Sequence, residues 1–239
     1  LIVADIGLRA LRVLAGNGSG AFAVADTILL DEPPVELAVT DLDLDGRTDL
    51  TALGEASSLF LSFGGEEGLS RPDTYHMGDR PRGIDFGRLN DDGLPDMAIS
   101  NAGDVSFTVL VSLGPRFYGY STQSQVSGDG AQNVVTLRVD DNDLDDLAVG
   151  SPSSRTLSLH LNLGDGRFSV PTRLRCSSFP LDMIRMDLEP DGLDDIVVLD
   201  GIGDGLVLLR GGGPGALREG PGQITAAPIV GVPDTGLFL

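Results

Sequence analysis

The sequence predicts an all-β fold made of short antiparallel strands, and three features lead to this prediction. Glycine is frequent, with 33 residues, and the apolar residues occur in short runs rather than in the long stripes of amphipathic helices. An acidic segment recurs along the chain at a nearly constant spacing. A glycine turn recurs with the same spacing, so the chain is expected to consist of repeated units of four short strands.

The acidic segment occurs in four copies that differ little in length or spacing. The copies are DLDLDGRTDL at 41–50, RLNDDGLPDM at 88–97, RVDDNDLDDL at 138–147 and DLEPDGLDDI at 187–196. Their last aspartates, Asp49, Asp96, Asp146 and Asp195, are separated by 47, 50 and 49 residues. We call residues 41–49, 88–96, 138–146 and 187–195 loops 1 to 4.

Apolar runs flank every acidic loop and predict two strands joined by it. The runs before the loops are ELAVT at 36, GIDFG at 83, NVVTL at 133 and DMIRM at 182. The runs after the loops are LTAL at 50, MAIS at 97, LAVG at 147 and IVVL at 196, and the chain opens with a fifth copy, LIVA. Glycine turns, where a hairpin needs positive φ angles, follow as GSGAF at 18, EEGLS at 66, LGPRF at 113, GDGRF at 164 and GPGAL at 213.

This order of elements predicts a β-propeller, in which four-stranded antiparallel blades surround a central axis. Residues 1–239 are expected to form a single propeller domain of five blades. The segment PIVGV at 228 would supply the first strand of the blade that LIVA begins, and so close the ring. The alternative is a fragment of a longer propeller, because the last copy carries no acidic loop.

Loop 1 has the composition of a calcium site. Asp41, Asp43, Asp45 and Asp49 place carboxylates at positions one, three, five and nine, and Arg47 offers its backbone carbonyl at position seven. Oxygen ligands in a flexible loop favour Ca²⁺ over zinc or magnesium. The alternative is that the aspartates are turn formers, since Asp, Asn and Gly favour turns without any metal.

The pattern D-x-D-x-D-G-x-x-D-L between short strands, with G-x-G-x-F turns, resembles the FG-GAP and VCBS repeats. These repeats occur in integrin α-subunit propellers, in a fungal lectin and in bacterial secreted or surface proteins. The resemblance covers essentially the whole chain and implies a propeller that binds Ca²⁺ in its acidic loops. In loop 4 it implies the ligands Asp187, Glu189, Asp191, Asp195 and the carbonyl of Leu193.

Loops 2 and 3 are weaker metal candidates because arginine, Arg88 or Arg138, stands at position one. The remaining candidate ligands are Asn90, Asp92, Leu94 and Asp96 in loop 2 and Asp140, Asn142 and Asp146 in loop 3. Either each arginine folds into its own loop and replaces the ion by pairing with the remaining carboxylates, or it points to solvent while the loop holds a weak ion.

Charge and composition exclude several classes of partner. The formal net charge is −20, with 36 acidic and 16 basic residues, which disfavours nucleic acid and anionic membrane surfaces. No apolar run approaches the roughly 20 residues that span a bilayer, so direct membrane insertion is not expected. The single cysteine, Cys176, excludes an internal disulfide.

No motif for catalysis stands out, and neither histidine belongs to a triad or metal motif; His160 falls in a predicted strand. Together with this, the resemblance implies a calcium-stabilised binding or adhesion module, extracellular or on a bacterial cell surface, within a larger protein. Its ligand would be a protein or a glycan. The alternative is a hydrolase or lyase acting on polysaccharide, which predicts acidic residues with arginine or tyrosine at the central channel.

The segment RFYGY at 116–120 concentrates aromatic residues in a chain with 5% aromatics. Such a patch could stack on a sugar or on a partner's side chain. The other interpretation, which we favour from the sequence, places Phe117 in the core position of the turn and Tyr118 and Tyr120 along an outer strand.

Overall fold

The structure, a computed structural model, describes residues 1–125, 130–164, 166–175, 179–201, 205–213, 215–219 and 224–225. Within these residues the chain forms twenty-two β-strands and one turn of 3₁₀ helix, Pro152–Ser154. None of the helices in this part of the chain is long and apolar enough to cross a membrane. The segment PIVGV at 228 and Cys176 lie outside the described residues.

The strands form five consecutive antiparallel sheets, which we number in chain order. Sheet 1 contains β1 (Ile2–Asp5), β2 (Ala10–Gly16) and β3 (Phe22–Leu29). Sheet 2 contains β4 (Pro34–Thr40), β5 (Asp49–Gly54), β6 (Ser58–Ser62) and β9 (Asp73–His76), with a small hairpin of β7 (Gly64–Gly65) and β8 (Gly68–Leu69). Sheet 3 contains β10 (Pro81–Gly87), β11 (Asp96–Asn101), β12 (Ser106–Gly114) and β13 (Phe117–Gln125).

The two remaining sheets repeat the same order. Sheet 4 contains β14 (Asn133–Leu137), β15 (Asp146–Ser151), β16 (Thr156–His160) and β17 (Thr172–Arg175). Sheet 5 contains β18 (Pro180–Met186), β19 (Asp195–Asp200), β20 (Gly205–Gly211) and β21 (Leu217–Glu219), and β22 (Ile224–Thr225) also pairs with β20. The predicted all-β class and the repeated four-stranded sheets are therefore confirmed for sheets 2 to 5, whereas sheet 1 has three strands among the described residues.

Each acidic loop joins the first and second strands of its sheet, as the repeat predicts. In all four sheets the last residue of the first strand pairs with the aspartate that ends the loop. These pairs are Thr40 with Asp49, Gly87 with Asp96, Leu137 with Asp146 and Met186 with Asp195. The equal register explains why the loops keep the same length.

The second strands are covered on both faces, which explains their apolar runs. Every residue of β5, β11 and β15 is buried. A strand that packs on both sides shows a continuous apolar sequence rather than an alternating one. The runs LTAL, MAIS and LAVG are therefore typical of strands that neighbouring sheets cover on both faces.

Four hydrophobic clusters join the sheets in chain order. Leu11 with Leu50 joins sheets 1 and 2, and Leu61 with Ile99 joins sheets 2 and 3. The third and fourth clusters centre on Val109 with Leu147 and on Leu159 with Ile196. None of these four clusters, which cover the described residues, contains side chains of both sheet 1 and sheet 5.

The first strands of sheets 2 to 5 lie beside one another at the inner edges of the sheets. Together β4, β10, β14 and β18 line a cavity of about 700 Å³. We call this space the central cavity.

Candidate metal centre

The aspartate that ends each acidic loop ties the loop to the end of the third strand. One carboxylate oxygen, Oδ2, accepts the backbone N–H of the second residue of the loop: Leu42 (2.8 Å), Leu89 (2.8 Å), Val139 (3.2 Å) and Leu188 (3.0 Å). The other oxygen, Oδ1, accepts an N–H near the end of the third strand: Gly64 (2.7 Å), Ser112 (2.7 Å), Asn162 (2.7 Å) and Gly211 (2.9 Å). This aspartate therefore has a structural role in all four repeats.

Burial makes these carboxyl groups harder to ionise. Burial raises the pKa of Asp96 to about 6 and that of Asp146 to about 7, against backbone hydrogen bonds that lower it. The pKa of Asp49 is also raised, mainly by burial. An opposite charge close to such a group favours its ionised form, so a bound cation would offset this cost.

Loop 1 gathers three predicted ligands around one point. Asp41, Asp43 and Asp49 each place one carboxylate oxygen within 4.8 Å of the others. Calcium holds oxygen at about 2.3 to 2.6 Å, so two ligands of one ion lie at most about 5 Å apart. The three oxygens fit that limit. Among the described residues, no other group of three acidic, histidine or cysteine side chains meets in this way.

The backbone of loop 1 positions these carboxylates. Asp41 accepts the N–H groups of Asp45 (3.1 Å) and Gly46 (2.8 Å), which wraps the loop around its side chain. Gly46 has a φ of +84°, a backbone conformation that residues other than glycine rarely adopt. Glycine at position six therefore makes this turn without backbone strain, whereas in loop 3 Asp143 adopts the same region with a φ of +62°.

Two guanidinium groups lie against loop 1. Arg47 contacts Asp45 Oδ2 through Nη1 at 3.2 Å, from within the loop. Arg116 comes from the turn between β12 and β13 of sheet 3, where it donates to Asp43 through Nε and to Asp45 Oδ2 through Nη2 at 3.0 Å. Asp45 therefore faces arginine in this structure, while Asp41, Asp43 and Asp49 form the cluster.

In loops 2 and 3 a side-chain amide contacts both a loop carboxylate and a backbone carbonyl near the end of the third strand. Asn90 Nδ2 donates to Asp92 at 3.1 Å and lies 3.5 Å from the carbonyl of Ser112. Asn142 Nδ2 donates to the carbonyl of Asn162 at 2.9 Å and lies 3.4 Å from Asp140. The carbonyls of Leu94 and Leu144 stand at position seven of these loops, where a calcium site has a ligand. The two amides, however, already contact the acidic side chains that would bind the ion.

The hypothesis that Arg88 and Arg138 pair with the ligand carboxylates of their own loops is wrong. Arg88 pairs with Asp91, whose side chain is 82% exposed, and not with Asp92 or Asp96. Among the described residues no ion pair joins Arg138 to a carboxylate, and Arg138 is exposed. The oxygens of Asp96 are already taken by the backbone N–H groups of loop 2 and β12, so Arg88 finds a partner on the outside.

Loop 4 is more open than loop 1. Asp187, Glu189 and Asp191 are exposed, and Asp195 is buried at the foot of the loop. Arg210 of β20 pairs with Glu189, and the N–H of Leu193 donates to Asp191 at 3.0 Å. The predicted ligands of loop 4 thus share one loop but are not brought together as those of loop 1 are.

The central cavity also carries charged groups, which the sequence did not single out. Glu36, Arg82 and Asp182 line it from three different sheets. The pKa of Glu36 is raised, first by burial and then by the negative charge of Asp182. Strand periodicity would have placed these residues on the first strands, but only the arrangement of the sheets brings them together.

The aromatic turn RFYGY differs from the interpretation favoured from its sequence. Phe117 is 61% exposed, whereas Tyr118 is 4% exposed and packs between sheets 2 and 3. Tyr120 is exposed and accepts the N–H of His76 at 2.8 Å. The core position of this turn therefore belongs to Tyr118, and Phe117 faces outward, because β12 and β13 are joined by a tight turn that shifts the register between Ser112 and Gly114.

No protein-family model and no curated protein matches this chain. Solved structures match in fold. A functionally unknown protein from Desulfotomaculum acetoxidans is 13% identical with a TM-score of 0.71, over 95% of this chain and 66% of that one. A putative 6-phosphogluconolactonase from Bacteroides fragilis is 14% identical with a TM-score of 0.68, over 93% of this chain and 67% of that one.

A third similar structure is a lectin from Agrocybe aegerita, described for its specific recognition of non-reducing terminal N-acetylglucosamine. It is 13% identical, with a TM-score of 0.58, over 91% of this chain and 61% of the lectin. At such low identity these likenesses show the fold alone, a propeller-like arrangement of β-sheets. The chain spans between 61% and 67% of the length of these three proteins.

Proposed function

We propose that this chain is a calcium-stabilised β-propeller module that works outside the cell and presents a face to a protein or carbohydrate ligand. The observation that carries the proposal is the group of three carboxylate oxygens in loop 1, all within 4.8 Å of one another. The repeated acidic loops and the resemblance to FG-GAP and VCBS repeats support it. Loops 1 and 4 are the proposed ion sites, and the ion would supply structural cross-linking rather than chemistry.

The same proposal includes the finer architecture. Five sheets in chain order would close into a five-bladed ring if residues 228–232 supply the strand inside β1. The side chain of Val3 in β1, which is 39% exposed, would then be covered by sheet 5. Since the chain spans about two thirds of the solved structures it resembles, placement within a larger secreted or surface protein is part of the proposal.

Exposed aromatic residues support a glycan or protein ligand. Phe117 and Tyr120 are 61% and 56% exposed, in a chain with few aromatic residues. Exposed aromatic rings stack on sugars and anchor protein interfaces. The structural likeness to a lectin is consistent with this role but adds the fold alone. We place the module outside the cell because extracellular calcium-binding modules bind the ion with a Kd of about 10⁻⁴ to 10⁻³ M.

Calcium should raise the melting temperature of this protein. At about 5 mM calcium, a site with a Kd of about 10⁻⁴ to 10⁻³ M adds about 1 to 2 kcal/mol of stability, or several degrees. Asp45→Ala and Asp191→Ala should each remove part of that shift. The measurement is a thermal melt in chelator and in calcium.

Asp91→Ala serves as the control, because Asp91 is an exposed residue of loop 2 at a position that supplies no predicted ligand. It should keep the full calcium shift. If the unsubstituted protein melts at the same temperature in chelator and in calcium, the acidic loops are turns without a metal and the proposal is wrong.

A hydrolase or lyase acting on polysaccharide is the second candidate, and the central cavity is the observation that favours it. Glu36 with its raised pKa beside Asp182 could act as an acid and base pair, with Arg82 near the substrate. A panel of polysaccharides tests it by release of reducing or unsaturated ends. Activity that Glu36→Gln and Asp182→Asn abolish would establish this function, whereas binding without turnover favours the binding module.

A further inference from the structure

Arg116 occupies an unusual backbone position in the hairpin of sheet 3. Its φ is +65°, a left-handed conformation that Gly166 and Gly215 adopt in the corresponding turns of sheets 4 and 5. A side chain in this conformation costs roughly 1 kcal/mol more than glycine. The contacts of the Arg116 side chain are therefore the place to look for a compensating interaction.

The side chain of Arg116 reaches out of its own sheet into loop 1 of sheet 2. Its Nε pairs with Asp43, its Nη2 lies 3.0 Å from Asp45 Oδ2, and the same nitrogen lies 3.4 Å from the carbonyl of Gly64. The guanidinium carbon also lies 5.3 Å from the centre of the Phe63 ring. The Asp43 side chain is 3% exposed although it is a carboxylate in a surface loop, and the guanidinium lies directly against it.

Loops 2 and 3 contain a weaker version of the same arrangement. The amide of Asn90 lies between Asp92 and the carbonyl of Ser112, and the amide of Asn142 lies between Asp140 and the carbonyl of Asn162. Ser112 and Asn162 hold the place in their sheets that Gly64 holds in sheet 2, since each N–H donates to the aspartate at position nine. An N–H donor of the chain thus bridges a loop carboxylate and this carbonyl in three of the four loops.

We propose that Arg116 is an internal cation of loop 1, which latches sheet 3 onto sheet 2 and which calcium must displace to bind there. The displacement part of this inference rests on the proposed calcium binding. The latch requires Arg116 to leave Asp43 and Asp45 before both can ligate an ion. Loop 1 therefore binds calcium more weakly than its ligand set alone allows, and ion binding releases the hairpin that carries Phe117.

The size of the effect follows from the population of the open latch. If the latch is closed nine-tenths of the time, the apparent affinity of loop 1 is about tenfold weaker than the intrinsic affinity. Removal of the guanidinium should recover that factor. Loop 4 gives an internal comparison, since its partner Arg210 comes from the same sheet and pairs with Glu189.

Terbium provides a probe that distinguishes loop 1 from loop 4, because it substitutes for calcium and is excited through nearby tyrosine. The three tyrosines all lie in sheets 2 and 3, and the Tyr118 hydroxyl lies 3.5 Å from the carbonyl of Leu42 in loop 1. The experiment titrates terbium, and then calcium in competition, into the full chain. Arg116→Gln and Arg116→Gly, which keeps the left-handed turn, are the test variants.

Both Arg116 variants should bind terbium at least about tenfold more tightly than the unsubstituted chain. Arg12→Gln is the control, because it changes the net charge equally but removes an ion pair with Asp5 in sheet 1. Its affinity should change less than about threefold. Equal affinities in the Arg116 variants, the control and the unsubstituted chain would overturn displacement while leaving calcium binding intact.

The latch itself is tested in chelator, where failure of the proposed function cannot interfere. In a cycle of Asp43→Asn, Arg116→Gln and the double variant, the shifts in melting temperature should depart from additivity by at least about 2 °C. Additive shifts would overturn the latch. Non-additive shifts together with no terbium or calcium binding in any variant would keep Arg116 as the internal cation and reject the calcium function.

Discussion

Replacement of Asp96 by alanine is expected to lower the free energy of unfolding by about 3 to 5 kcal/mol in the absence of calcium. The Asp96 carboxylate is fully buried and accepts the N–H groups of Leu89 and Asn90 at 2.8 Å and of Ser112 at 2.7 Å. Alanine leaves these donors without an acceptor, and each buried unpaired donor costs about 1 to 3 kcal/mol. The melting temperature should fall by about 6 to 20 °C, measured by calorimetry in chelator.

The size of this loss should follow the number of acceptors that remain. Asp96→Asn keeps one acceptor oxygen but turns an amide N–H towards a backbone donor, so its loss should be intermediate. Asp91→Ala changes a carboxylate of the same loop whose side chain is 82% exposed, and should shift stability by less than about 0.5 kcal/mol. A melting temperature of Asp96→Ala close to that of Asp91→Ala would contradict the structural role of the repeated aspartate.

The strand pattern could be predicted from the sequence because its causes are local and repeated. The runs LTAL, MAIS and LAVG became buried second strands, and the aspartate at position nine recurs because it accepts the same two backbone groups in sheets 2 to 5. Because the copies of the repeat can be aligned with one another, they show which positions recur without any alignment of homologues. The bounds of β5, β11, β15 and β19 all begin at that aspartate.

The side-chain pairings in the acidic loops could not be predicted in the same way. Arg116 lies 73 residues from Asp43 in the chain, and its approach depends on how sheet 3 packs against sheet 2. The sequence pointed instead to Arg88, which stands at position one of loop 2 in place of a ligand. Backbone donors already saturate Asp96 and the amide of Asn90 reaches Asp92, so Arg88 pairs instead with the exposed Asp91, which supplies no predicted ligand.

The exposed and buried aromatic residues of the turn show the same limit. Sequence periodicity assigned Phe117 to the core, yet the shifted register of β12 and β13 buries Tyr118 instead. A shift of one residue in a strand exchanges its two faces. Short hairpins in which glycine is replaced, as by Arg116, are therefore the places where a repeat pattern predicts the strand but not its face.

His160 should make the protein less stable as the pH falls below about 6.5. The side chain lies fully buried in β16, with Nε2 at 3.2 Å from Ser158 Oγ and its ring edge-on to Phe107 at 4.9 Å. Burial lowers its pKa from 6.5 to about 4. Between these values the unfolded chain binds a proton that the folded chain does not, so acid favours unfolding.

The stabilising effect of neutral His160 is thus fully present above pH 6.5 and is lost as the pH falls towards 4. A pKa of about 4 in the folded chain, against 6.5 in the unfolded chain, corresponds to about 3 kcal/mol. Asp96 and Asp146 act in the opposite direction, because their raised pKa values make the folded state lose stability as the pH rises through 4 to 7. In the pH dependence of the free energy of unfolding, the contributions of these two carboxyl groups therefore mask that of His160.

A difference experiment isolates His160 from the two carboxyl groups. Denaturant unfolding of the unsubstituted chain and of His160→Gln, in chelator, gives a difference in free energy of unfolding at each pH. That difference should fall by about 3 kcal/mol between pH 7.5 and pH 4, because the carboxyl contributions are common to both proteins and cancel. A difference that stays constant with pH would mean that His160 is protonated inside the fold at no cost, which its contact with Phe107 and its lack of exposure argue against.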